Sequence, residues 1–113
     1  EACVQFAKTF PKIIREIRAV NPDVKIYADN IYNPAKGIDA FSQVYSVADA
    51  YINRMNRGFY PSDEYVLVDI KKCFDGEKES MVNLSFKGRE IDPHPSEKGH
   101  KKIAQMVIKA MER

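Results

Sequence analysis

The sequence predicts an α/β fold with a parallel sheet, and three observations carry that expectation. Amphipathic helical stripes alternate with short β-branched or aromatic runs, in the order helix, strand, helix, strand, loop, helix. The first helix feeds the first strand through the short Asn21-Pro22-Asp23 stop, which is half of a parallel α/β unit. The run Tyr65-Val66-Leu67-Val68-Asp69-Ile70 is apolar with little charge, the pattern of a strand covered on both faces.

From Glu1 to Val20 the apolar positions Val4, Ala7, Phe10, Ile13, Ile14, Ile17 and Val20 recur at helical steps with Lys12, Arg15, Glu16 and Arg18 between them. Pro11 predicts either a kink or a regular helix that begins there with proline in its first turn. Val24-Lys25-Ile26-Tyr27-Ala28 reads as a strand running toward Asn30. Asn33-Pro34-Ala35-Lys36-Gly37 is loop chemistry, and Phe41, Val44, Tyr45, Ala48, Ile52 and Met55 form a second helical stripe to about Arg57, with Gly58 as its C-cap. After the strand from Tyr65 to Ile70, the segment from Asp75 to Ser80 is a charged loop. The last helix starts at Ser96 as N-cap, carries Ile103, Ala104, Val107, Ile108 and Met111 on one face, and places Lys109 and Arg113 where cations suit the helix dipole.

The chain has 113 residues, 44% of them hydrophobic and 30% charged, which bounds it to one globular domain at most. Two predicted strands are too little sheet to cover the apolar stripes of three helices, so residues 1–113 read as part of a larger α/β domain. No apolar run approaches the ~20 residues of a membrane span, and no charged-then-apolar leader stands at Glu1. A net charge of +2 dispersed among mixed signs gives no footprint for nucleic acid. Cys3 and Cys73 lie seventy positions apart with no metal-ligand spacing, which excludes a disulfide scaffold and leaves two buried thiols or one long-range bond.

Both histidines fall in Asp92-Pro93-His94-Pro95-Ser96-Glu97-Lys98-Gly99-His100, directly before the last helix. The two prolines push Asp92 and His94 into extended conformations. Residues i and i+2 of an extended segment point to the same side, so the Asp92 carboxylate is placed to approach the His94 ring. A carboxylate beside an imidazole fixes its tautomer and stabilises the imidazolium, as a general base requires. A loop that merely shapes the start of a helix has the same residues, and a three-ligand metal cluster of Asp92, His94 and His100 is a further reading, although its spacing matches no common zinc site.

The longer pattern D-P-H-P-S-x-x-G-H-x-x-I-A resembles the last block of the SGNH, or GDSL-like, lipases and acylhydrolases, in which an Asp and a His before the C-terminal helix complete a Ser-His-Asp triad. The resemblance extends upstream through Ile13-Ile14-Arg15-Glu16-Ile17-Arg18, Asn21-Pro22-Asp23-Val24-Lys25-Ile26 and Tyr32-Asn33-Pro34. It implies a flavodoxin-like three-layer sandwich of which this chain is the C-terminal half, and hydrolysis of carboxylic esters without metal or organic cofactor. His94 matches the general base and Asp92 the orienting acid, although only Pro93 separates them here where the family usually has two residues. Tyr32 and Asn33 are placed to meet substrate at the C-terminal ends of the strands. The family's Gly-Asp-Ser nucleophile block and its oxyanion-hole Gly and Asn blocks are not in this sequence. None of Ser42, Ser46, Ser62, Ser80, Ser85 or Ser96 follows Gly-Asp. The implied partner is an N-terminal half carrying the serine, with self-association as the alternative; the implied setting is bacterial, secreted or at the cell surface. A non-catalytic binding or structural module of the same fold is the rival function.

Overall fold

The computed structural model describes residues 1–83 and 92–113; Ser85 lies outside them. The chain is mixed α/β. Helix α1 (Ala2–Val20) precedes strand β1 (Tyr27–Asp29), a short 3₁₀ turn (Asp39–Phe41) leads into α2 (Ser42–Asn56), and β2 (Val66–Val68) is followed by α3 (Ile70–Asp75) and α4 (Glu97–Met111). The two strands pair in parallel, Tyr27 opposite Val66, Ala28 opposite Leu67 and Asp29 opposite Val68.

Strand alternation divides the core between the two faces of this pair. Tyr27 and Val68 join Ile70, Phe74 and Met81 under Ile103, Met106 and Val107 of α4. Ile26, Ala28 and Tyr65 turn the other way, onto Phe6, Phe10 and Ile14 of α1. Helices therefore cover both faces, as the apolar strand runs require. Cover is incomplete: Val66 and Leu67 of β2 are 39% and 42% exposed, against the expectation of a strand covered on both sides. Among the described residues β2 has one neighbouring strand, and its Tyr65 end packs on Phe10 and Ile14 of α1. The radius of gyration is 15.7 Å, where a compact domain of this length has about 13 Å.

Helix α1 runs through Pro11, so of the two courses the sequence left open it does not take the one that begins at the proline; Phe10 and Ile14 are buried on either side of it, and their burial offsets the backbone hydrogen bond that proline removes. Two element boundaries differ from the sequence reading, each for a local reason. Strand β1 begins at Tyr27, not Val24, because Val24 closes a turn onto the Asn21 carbonyl and Arg18 donates to the carbonyls of Pro22 and Val24. Ile70 belongs to a helix instead of the second strand. Asp69 Oδ1 accepts from the Lys72 N–H at 3.1 Å and caps α3, which carries Ile70 and Phe74 into the core.

The cysteines are free thiols, Cys3 buried in α1 and Cys73 half-buried in α3. Among the described residues no helix is long and apolar enough to cross a membrane.

Candidate functional site

The His94 loop is set by the start of α4. Ser96 Oγ accepts from the Gly99 N–H at 3.1 Å, which makes it the N-cap that its position predicts. Gly99 then lies so close to the chain at Met81 that an added Cβ would stand 2.1 Å from the Met81 carbonyl oxygen. Only a residue without a side chain permits this approach. It lets Ser96 N–H reach Met81 O at 2.8 Å and Val82 bridge Pro95 in antiparallel fashion. The loop is thereby stitched to residues 81–83 before any ligand is considered.

Within it, Asp92 Oδ1 accepts from the backbone N–H of His94 at 3.0 Å and lies 2.6 Å from His94 Nδ1. The single intervening proline is thus compatible with the pair. A carboxylate has no proton to give, so His94 Nδ1–H is the donor and the neutral ring presents its lone pair at Nε2. The His94 backbone N–H, and then its ring, hold the Asp92 carboxyl below the ordinary aspartate range. The pair stands in the open, with side-chain exposures of 81% for His94 and 46% for Asp92.

Tyr32 comes to this loop and Asn33 does not. Tyr32 Oη donates to Pro93 O at 2.7 Å, and its ring rests on Phe74 with centroids 4.9 Å apart. Burial, and then the charge of Asp92, push the Tyr32 phenol above its ordinary range, so it stays protonated as a donor. Asn33 is 1% exposed. Its Nδ2 donates to Tyr45 O at 3.1 Å and Asp49 Oδ1 at 3.2 Å, and its Oδ1 accepts from the Ala35 N–H at 3.0 Å. These bonds lock the loop at 33–37, where Gly37 takes φ +78° against the backbone at Ser80.

The same loop is held by Lys71, whose side chain is 12% exposed and whose Nζ lies 3.0 Å from Asp49 and 2.6 Å from Asp75. Burial pushes the Asp49 carboxyl up, but hydrogen bonds from Lys71, Asn33 and Asn53 outweigh it and hold the group below its usual range. Burial pushes Lys71 down, and its bonds to Asp75 and Asp49 outweigh that and hold it above the usual lysine range.

Two residues that the sequence did not single out shape the site. Asn30, one residue past β1, donates to Asp69 Oδ1 at 2.7 Å and accepts from the Lys71 N–H at 2.9 Å, tying the C-terminal ends of both strands together. Asn83 donates to the carbonyls of His94 and Pro95. A polar residue directly after a predicted strand is the signal for Asn30; Asn83 is recognisable only once the chain has folded.

Between these elements lies a hollow of about 420 Å³, with Ile31, Tyr32, Pro34, Ile52, Pro93 and His94 among its walls. His100 is exposed in the first turn of α4, where its N–H bonds to Ser96 O. Among the described residues no group of three or more His, Cys, Asp or Glu is arranged to hold a metal ion, and Asp92, His94 and His100 do not converge. The hydroxyls of Ser62, Ser80 and Ser96 accept from the N–H groups of Glu64, Val82 and Gly99, and no serine among the described residues is hydrogen-bonded to His94.

No family model, curated protein or solved structure matches the chain. The chemistry must therefore be read from the geometry. An imidazole that donates from Nδ1 to a carboxylate, with no partner for Nε2 among the described residues, beside an apolar hollow can act as a base for a hydroxyl or water brought within hydrogen-bond reach.

Proposed function

We propose that this chain supplies the general base and orienting acid of a serine-dependent carboxylic ester hydrolase of the SGNH, or GDSL-like, kind. The observation that carries the reading is the 2.6 Å contact of His94 Nδ1 with Asp92, made by a ring whose other edge is open. The serine would attack the ester carbonyl while His94 Nε2 takes its proton; His94 would return that proton to the leaving alcohol as the acyl-enzyme forms. Water, activated by the same nitrogen, would then release the acid. Asp92 would stabilise the charged ring throughout. The nucleophile and the oxyanion donors would come from an N-terminal half of the same domain. That half would extend the parallel pair into a flavodoxin-like sandwich and cover Val66 and Leu67, which are exposed here. The rival, a non-catalytic module, has on its side that no serine of the described residues bonds His94.

Ester turnover separates the two. The 113 residues alone should hydrolyse a short-chain nitrophenyl ester no faster than free imidazole. The protein extended by the residues encoded before Glu1 should turn it over, with His94→Ala costing about 10³-fold or more, His100→Ala far less, and Asp92→Asn between them. An inactive extended protein, or equal losses from both histidines, would overturn the proposal.

A further inference from the structure

Three consecutive carbonyls of the His94 loop each accept a hydrogen bond from outside it. Tyr32 Oη donates to Pro93 O at 2.7 Å, Asn83 N–H to His94 O at 2.9 Å, and Asn83 Nδ2 to Pro95 O at 3.3 Å. Pro93 and Pro95 have no N–H, so the loop is anchored through its acceptors. The two bonds from Asn83 fall after the His94 side chain. Among the described residues, Tyr32 alone holds the carbonyl of Pro93, the residue that joins Asp92 to His94. Its own position is firm: it follows β1 closely in the chain, and its ring packs on Phe74, which is 2% exposed.

The Asp92–His94 bond needs such help. Both side chains are solvated, and an exposed pair of this kind gains little net free energy against water. A freely solvated neutral imidazole prefers its proton on Nε2, the nitrogen that a general base must leave empty. Whichever nitrogen carries the proton is decided by the partner of the other, and here that partner, Asp92, is held by the His94 N–H and the Asn83 side chain and by the Pro93 peptide that joins it to His94.

We propose that Tyr32 is a positioning residue for His94, fixing the Pro93 peptide so that Nδ1–H stays on Asp92 and Nε2 stays a lone pair. The inference rests on the esterase reading for its use, and it departs from the expectation that Tyr32 binds substrate: the hydroxyl is engaged with Pro93, and the ring is a wall of the hollow.

Long-range proton–nitrogen spectra of the 113-residue chain read the tautomer of each histidine directly. Wild-type His94 is expected chiefly as Nδ1–H, with exposed His100 as the internal reference. Tyr32→Phe keeps the ring on Phe74 and deletes the donor. It should lower the Nδ1–H to Nε2–H ratio of His94 about threefold while leaving His100 unchanged. Asp92→Ala, which removes the side-chain partner of Nδ1, fixes the fully released limit. An unchanged His94 ratio in Tyr32→Phe, or an equal change at His100, would overturn the role. Turnover by the extended protein is a separate readout: activity lost in His94→Ala with no tautomer change in Tyr32→Phe sinks only the part given to Tyr32. A tautomer change without turnover sinks only the esterase reading.

Discussion

Asp92 holds His94 across a single proline, in a pair whose side chains are 46% and 81% exposed; Lys71 is 12% exposed and gathers Asp49 from α2 and Asp75 from its own helix. Both clusters set a nitrogen against carboxylate oxygen at 2.6 Å. The first is solvated and contributes little to folding, but its imidazole is free to exchange protons with whatever approaches. The second is shielded, with one ammonium shared between two carboxylates, and removing the lysine leaves both without it. Availability distinguishes a site for chemistry from a clamp, and the clamp here secures the loop that delivers Tyr32.

The strongest way to sharpen the contrast is at the join between loop and helix. Gly99→Ala should cost about 3 kcal/mol, because its Cβ would collide with the Met81 carbonyl; helix propensity alone predicts a gain of about 1 kcal/mol. Thermal unfolding checks the sign, and a stabilised variant would show that the loop is not stitched to residues 81–83 in solution.

Lys71→Met should cost about 2 kcal/mol, since Asp49 and Asp75 lose their common partner in a shielded place. Asp92→Ala, by contrast, should leave the unfolding midpoint where it is. Denaturant titration of both variants breaks the comparison if Asp92 proves the more destabilising of the two.

The smallest effect is on titration. Asp92 is held below the ordinary aspartate value, so its clasp on His94 is complete above that value and is lost as pH falls through the lowered one. Lys71 is held above the ordinary lysine value, so its clamp is complete below that value and is lost as pH rises through the raised one. The Asp92 carboxyl carbon resonance should have its midpoint below about 3.9, and His94→Ala should return it toward that value. A midpoint at or above the ordinary value would remove the clasp.

What was legible in the sequence is what depends on near neighbours in the chain. Helix α4 with its Ser96 cap, and the approach of Asp92 to His94, follow from i to i+3 and i to i+2 geometry and from the stiffness of two prolines. The parallel strand pair was legible from composition, but its three-residue length was not, because Arg18 turns Val24 away and Asp69 recruits Ile70 into α3. Asn33 shows the limit most plainly. Its place beside Tyr32 suggested a ligand contact, and its bonds to Tyr45, Asp49 and Ala35 instead spend its donors and acceptor inside the fold. Asn30 and Asn83 act on partners 39 and 12 residues away, contacts that no periodicity encodes.

The claim that His94 and Asp92 serve a serine is tested most directly by labelling. A fluorophosphonate should attach to the protein extended upstream of Glu1 at a single serine outside residues 1–113, and His94→Ala should abolish the attachment by depriving that serine of its base. Absence of label on the extended protein, label on a serine within residues 1–113, or undiminished labelling of His94→Ala would each contradict it.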